Sequence, residues 1–172
     1  SLHASYRNRL IRAYLGATQE KRHPHPFTGF DLSDNIQMYK LAKPEEANYR
    51  LKPLHVVNIA LNLVTGGRLA WQQRKAESFT VSPLHCGSPR LGYRRAEEYG
   101  GQKDRDGDQD GISLGTAVAI SGAAANPNMG YHSSPAVTFM LALFNVRLGW
   151  WLGNPSVAGS ATFRQRGPRF SV

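Results

Sequence analysis

The chain has 172 residues, of which 41% are hydrophobic and 10% aromatic, which excludes a disordered chain and is enough to build a core. Its single cysteine, Cys86, excludes an internal disulfide and fits a reducing, intracellular compartment. The net charge of +9 attracts polyanions, but the cations are scattered and accompany no nucleic-acid motif. We therefore expect no specific nucleic-acid partner. An anionic membrane surface is kept as an alternative partner.

Residues 1–52 are expected to form one short helix followed by a loop-rich insertion. Apolar and aromatic residues recur at near-helical spacing through residues 1–16, where Gly16 is placed to end the helix. From Ala17 to Pro53 the sequence is dense in His, Pro, Gly and charge, which favours loop over core. Because the chain opens at Ser1 without an initiating Met or a signal peptide, we expect a segment of a longer protein.

A β-hairpin is predicted next. In HVVNIALNLVTGG, apolar residues occupy every second position from Val57 to Leu63, which is typical of a strand. Thr65 to Gly67 predict a turn, and Leu69 and Trp71 begin the predicted partner strand.

The sheet is expected to continue through Ser78–Val81, whose residues suit a strand. Pro83–Gly101 is predicted to be loop, and Lys103–Gly111 an acidic, glycine-punctuated surface loop.

Two apolar segments follow. The stretch ISLGTAVAISGAAA predicts a buried helix packed closely against a sheet, because its residues are small and uncharged. Between Gly111 and Phe163 the only charged residue is Arg147, so this half of the chain is expected to supply most of the core.

The second apolar segment, Ala136–Leu152, is predicted to be a core helix with one apolar face. That face comprises Val137, Met140, Leu141, Phe144, Leu148 and Trp151. Two alternatives stay open: a membrane span, disfavoured by Arg147, and a surface helix that places Trp150 and Trp151 at a lipid interface.

The strand VVNIALNLVTGG and the helix AVAISGAAANP, in this order and spacing, resemble the patatin-like phospholipases. The runs WQQRKAESFTVSPLHCG and GYHSSPAVTFMLALFNVRLGWWLGNP resemble a large bacterial subgroup of that family, so the resemblance covers roughly Pro53 to Pro155. It implies an α/β fold in which residues 53–172 form part of a three-layer α/β/α core, after the loop-rich portion at 1–52. It also implies a parent enzyme that hydrolyses a lipid or acyl ester through a Ser–Asp dyad.

The residues that this chemistry needs are missing from the chain. There is no Asp-Gly-Gly motif for the general base and no Gly-Gly-Gly oxyanion loop. The resemblance therefore places the dyad outside the chain, and we predict no catalytic residue within it.

One serine does fit a nucleophile pattern, since Gly111-Ile112-Ser113-Leu114-Gly115 satisfies G-x-S-x-G. A nucleophile elbow needs a buried strand upstream, whereas Lys103–Asp110 is hydrophilic. Ser113 is therefore interpreted as an N-cap or packing residue of the apolar helix, with the nucleophile role as the weaker alternative.

Metal sites are not predicted. Asp106, Asp108 and Asp110 match the start of an EF-hand loop, but its twelfth position is Ala117, so a solvated acidic turn is favoured over calcium binding. Histidine and cysteine spacing offers no zinc site, and no cofactor is implied. His132 is interpreted as a hydrogen-bonded structural residue, with a role near the substrate cleft as the alternative.

Two hypotheses of function follow. The first is an inactive segment of a lipid acyl hydrolase whose parent binds a lipid or acyl-ester substrate. The second is a non-catalytic module that docks on an anionic membrane or a protein partner. An isolated segment of a sheet leaves open strand edges, so we also expect it to self-associate.

Overall fold

The structure is a computed structural model in which eight parts of the chain are described. They are residues 2–42, 53–62, 76–100, 102–103, 109–123, 134–144, 146 and 148–157. They contain α-helices and an antiparallel sheet, so the fold mixes α and β structure.

The predicted N-terminal helix is confirmed. Helix α1 spans Leu2–Leu10 and continues as a π-helical turn over Ile11–Leu15 and a 3-10 turn over Gly16–Thr18. Ile11 is fully buried and packs against the apolar helix that follows Ser113.

The segment after α1 is irregular, as predicted, with 3-10 turns at Leu32–Asp34 and Met38–Ala42. The expectation that it stays out of the core is wrong for Met38, which is fully buried in the main apolar cluster. The cause is backbone pairing between distant segments, which no sequence pattern predicted. Met38 N donates to Ile112 O at 2.9 Å, and Leu114 N donates to Ile36 O at 2.9 Å.

Four described strands form an antiparallel sheet in the order β1-β2-β3-β4. They are β1 (Val57–Asn62), β2 (Ala76–Val81), β3 (His85–Ser88) and β4 (Gly92–Arg95). The pairing of β1 with β2 confirms both the first predicted strand and the continuation of its sheet at 78–81. The predicted turn at 65–67 and the predicted strand at Leu69 and Trp71 lie outside the described residues.

The prediction of loop over Pro83–Gly101 is wrong, because β3 and β4 pair there as a hairpin. Their residues carry little strand propensity, so burial decides the outcome. Cys86, Gly87 and Ser88 are all buried, and a Cβ on Gly87 would collide with the backbone of Gly92.

Helix α2 spans Leu114–Ser121 and confirms the prediction of a buried small-residue helix. It packs between α1 and β1, and Ser121 Oγ donates to Asn58 O at 2.6 Å. Just before it, the two-residue strands β5 (Gln102–Lys103) and β6 (Gln109–Asp110) pair with each other.

Helix α3 spans only Pro135–Leu143, and none of its residues is buried. Its large apolar side chains are exposed, at 45% for Val137, 64% for Phe139 and 49% for Met140. The predictions of a helix through Leu152 and of a core face on it are therefore wrong. Among the described residues, every helix falls short of the length and apolar character that a bilayer crossing requires.

The segment 148–157, which we call the strap, runs back over the rest of the fold. His3 Nδ1 donates to Leu148 O at 2.7 Å, and the His3 ring lies 4.4 Å from that of Trp150. Further along, Tyr99 Oη donates to Gly153 O at 2.6 Å and Arg94 Nε to Pro155 O at 2.9 Å.

The core lies between the sheet and α2. Its buried members are Met38, Ile59, Phe79, Val81, Cys86, Ala96, Tyr99, Ile112, Leu114, Ala117 and Ile120. Most precede Gly111, so the expectation that the second half supplies most of the core is wrong for the described residues. The physical reason is that the apolar side chains of α3 stay at the surface.

Candidate functional site

The candidate site is a cavity of about 180 Å³ at the N-terminal end of α2. The described residues that line it are Arg7, Asn35, Gln37, Gly100, Gly111, Ile112, Ser113, Thr116, Trp150 and Leu152. They come from α1, the segment after it, the turn that follows β4, the start of α2 and the strap. The site is therefore assembled by tertiary packing of segments that are far apart in sequence.

Ser113 is the N-cap of α2, which confirms that interpretation. Its backbone is extended, at φ −83° and ψ 152°, and its Oγ accepts a hydrogen bond from Thr116 N at 3.3 Å. The same hydroxyl donates to Thr116 Oγ1 at 2.8 Å. These bonds satisfy an amide that the first helical turn leaves without a helical partner. The backbone is also ordinary, unlike the strained turn of a nucleophile elbow.

Both glycines of the G-x-S-x-G pattern are explained by close packing. A Cβ on Gly111 would collide with the carbonyl oxygen of Ala96. A Cβ on Gly115 would lie 2.6 Å from Ile11 Cδ1 and 2.6 Å from Asn35 Oδ1. Close packing of α2 against its neighbours therefore accounts for the two glycines of the pattern, without a role in hydrolysis.

The cavity can hold a polar group but offers Ser113 no activation. Neither a histidine nor a carboxylate is found among the described residues that line it. A serine hydroxyl needs an adjacent base to become a useful nucleophile. Hydroxyl, carboxamide and guanidinium groups surround the space instead, and Gln37 Oε1 is buried without a hydrogen-bond partner among the described residues.

Cys86 is not a second candidate nucleophile. The side chain is fully buried in the core, and burial raises the pKa of its thiol to about 12. A thiol with that pKa is protonated at neutral pH, and the protonated form neither attacks carbonyls nor binds metals well. Cys86 therefore serves as a small apolar core residue.

The remaining residues of interest are not brought to the cavity by the described structure. His132, Asp106 and Asp108 lie outside the described residues, and Asp110 ends β6. In the parts of the chain that are described, no three His, Cys, Asp or Glu side chains come together as metal ligands would.

Sequence reasoning missed the cavity residues Arg7, Gln37 and Trp150. Each is contributed by a separate segment, and no spacing in the sequence links them. Gln37 reaches the site through an isolated β-bridge to Ser113, a contact between segments that are far apart in the sequence and that no sequence pattern indicated. Comparisons with known protein families, curated proteins and solved structures found no match to the chain.

Proposed function

We propose that the chain is part of a patatin-like lipid acyl hydrolase whose Ser–Asp dyad lies outside residues 1–172. The resemblance of residues 53–155 to that family carries the proposal. In this reading the sheet and α2 belong to a three-layer α/β/α core and form one wall of the substrate cleft. The parent hydrolyses an ester bond of a lipid through an acyl-serine intermediate.

The role proposed for this segment is structural, in keeping with its geometry. Ser113 caps a helix, and no base lies beside it among the described lining residues. The tight contacts of Gly111 and Gly115 hold α2 against its neighbours, which fixes the position of any cleft wall built on that helix.

Covalent labelling of the whole encoded protein tests this proposal. A fluorophosphonate probe reacts with activated serines, and mass spectrometry locates the labelled residue. We expect labelling at a serine outside residues 1–172, in a G-x-S-x-G that follows a strand, and equal labelling of the Ser113→Ala variant. Labelling at Ser113 contradicts the proposal. The absence of any labelled serine in the folded, uninhibited protein contradicts it as well.

A second candidate is a non-catalytic module that docks on an anionic membrane or a protein partner, and the exposure of α3 favours it. Phe139, Leu143 and Phe144 are 64–67% exposed on or beside this short helix, which contains no charged residue. Exposed apolar surface of this kind marks contact sites in other proteins.

Tryptophan fluorescence tests the membrane form of this candidate. In a Trp71→Phe background, docking of α3 and the adjoining strap on anionic vesicles should shift the emission of Trp150 and Trp151 to the blue. The Phe139→Ala/Phe144→Ala variant should lose that shift while keeping its circular dichroism. Emission that vesicles leave unchanged removes the membrane form of this candidate.

A further inference from the structure

The loop at residues 22–34, which we call the apex loop, is held in one shape by buried polar contacts. At its base Arg22 closes on the carboxylate of Asp34, which is completely buried. Asp31 Oδ2 accepts from His23 N at 2.5 Å, and Asp31 Oδ1 accepts from Ser33 N at 2.9 Å. These bonds join the two arms of the loop near its base.

The outer half of the apex loop is a tight turn. His25 N donates to Phe30 O at 3.0 Å, and Gly29 N donates to His25 O at 2.8 Å. Gly29 has φ +64°, a conformation that glycine adopts without the steric cost of a Cβ. The turn therefore has a defined backbone.

This backbone holds two large apolar side chains out in solvent. Phe27 is 93% exposed and Leu32 is 83% exposed, although the chain has an apolar core. A loose loop could fold Phe27 back against the protein, whereas this one is fixed by its hydrogen bonds. Single exposed apolar residues are common, but two on one braced loop indicate a contact surface.

The charge around these side chains is cationic. Both acids of the apex loop are turned inward, with Asp31 7% exposed and Asp34 fully buried. Arg12 is exposed and reaches the turn itself, where its Nη1 donates to Thr28 O at 3.1 Å. Lys21 is exposed just before the loop, and its neighbour Glu20 is an exposed acid, so Arg12 and Lys21 together leave a net positive charge there. Two exposed apolar side chains with cations beside them complement the interface of an anionic bilayer.

We propose that the apex loop inserts Phe27 and Leu32 into the interfacial region of an anionic membrane. The choice of lipid as the partner rests on the proposed function, because a lipid hydrolase must reach its substrate in a bilayer. Arg12 and Lys21 then lie at the level of the lipid phosphates.

Co-sedimentation with sucrose-loaded vesicles tests the proposal on the full 172-residue chain. We expect binding to phosphatidylcholine vesicles that contain about 30% phosphatidylserine, which supplies the anionic surface, and little binding to pure phosphatidylcholine. Phe27→Ala should weaken partitioning about tenfold, because it removes the aromatic group that insertion would take out of water. Lys21→Gln should weaken binding to the anionic vesicles about fivefold.

Tyr14→Ala is the matched control, because Tyr14 is 69% exposed but lies on the π-helical turn outside the apex loop. It should bind like the unmodified chain. All these side chains are exposed, so thermal melts should confirm that each variant is folded.

Three results overturn the proposal: no binding to anionic vesicles, equal binding to neutral ones, or binding that survives Phe27→Ala combined with Leu32→Ala. The last result would move the contact to another surface such as α3. Fluorophosphonate labelling is independent of all three, so loss of the membrane contact and loss of the hydrolase assignment are told apart.

Discussion

The guanidinium of Arg22 binds the carboxylate of Asp34 through three hydrogen bonds, from Nε to Oδ1 at 3.0 Å, from Nε to Oδ2 at 3.2 Å and from Nη2 to Oδ2 at 2.6 Å. Gly16 makes room for the pair, since a Cβ there would lie 2.6 Å from Asp34 Oδ2. This contact closes the base of the apex loop, which packs against Gly16 near the end of the first helical segment. It also raises the pKa of Arg22, chiefly through the hydrogen bonds to Asp34.

Replacing the buried acid should destabilise the protein markedly. Asp34→Ala leaves the Arg22 guanidinium without its partner in a partly buried position, and we expect a fall in melting temperature of roughly 5–10 °C. Glu20→Ala, at an exposed acid next to the same segment, is the control and should change the melting temperature little. Equal effects of the two substitutions in thermal melts would show that the contact contributes nothing.

Gly115→Ala should destabilise the protein although alanine is the better helix former. The intrinsic gain of about 1 kcal/mol in a helix is opposed by overpacking against Ile11, which typically costs about 1–3 kcal/mol. Urea unfolding should therefore show a net loss. Val118→Ala, at an exposed position of α2, should stay within about 0.5 kcal/mol of the unmodified chain.

The steric origin of that loss can be checked by a double-mutant cycle. Shortening the opposing side chain with Ile11→Ala removes both Cγ1 and Cδ1, the two Ile11 atoms that the new Cβ meets. The cost of Gly115→Ala should then be smaller in the Ile11→Ala background than in the unmodified chain. Additive costs would mean that the glycine is needed for another reason.

Ser113→Ala should affect stability and leave ester hydrolysis unchanged. Loss of the N-cap hydrogen bond is expected to lower the free energy of unfolding by about 1 kcal/mol. Ser134→Ala provides the comparison, because Ser134 occupies the N-cap position of α3 without a side-chain capping bond and should cost much less. With nitrophenyl esters the chain and the Ser113→Ala variant should react at equal rates, and hydrolysis that depends on Ser113 would restore the nucleophile interpretation.

His3 should make stability depend on pH. Burial lowers the pKa of His3, an effect that the Leu148 carbonyl partly opposes and that Arg7 reinforces. A group whose pKa is depressed on folding takes up its proton first in the unfolded chain. The contribution of His3 to the free energy of unfolding should therefore be fully present above the unfolded pKa of about 6.5. It should fall as the pH drops below that value.

Urea unfolding at pH 7.5 and at pH 5.5 measures this dependence. The substitution His3→Asn keeps an N–H donor for the Leu148 carbonyl but removes the titrating ring, so it should reduce the loss of stability between the two pH values. His85→Asn, at an exposed histidine, should leave that loss intact. If His3→Asn leaves the change in the free energy of unfolding between the two pH values unaltered, the pH dependence arises from other groups.

Sequence patterns predicted the elements whose own residues determine them. The alternation in β1 and the small-residue composition of α2 reflect burial that recurs within a single element, and both were identified. The strands β3 and β4 were missed because Gly, Ser and Arg carry no period that distinguishes a strand from a loop. Their pairing is decided by the neighbouring β2.

Apolar composition alone misled the interpretation of α3. A run of apolar residues indicates that a surface should be covered, but not what covers it, so Phe139 and Met140 were assigned to a core that they do not join. The cavity beside α2 could not be predicted from the sequence for a related reason. Arg7, Ser113 and Trp150 meet only after three segments have packed, whereas the capping role of Ser113 is local and was predicted.

The strap has a consequence for how the chain is made. His3 and Leu148 are 145 positions apart, so during synthesis α1 leaves the ribosome long before the segment that covers His3 exists. At roughly 5–20 residues per second the interval is about seven to thirty seconds. During that interval the face of α1 that the strap later covers is exposed. A chaperone, or an early contact with other parts of the growing chain, would protect this face best at that stage.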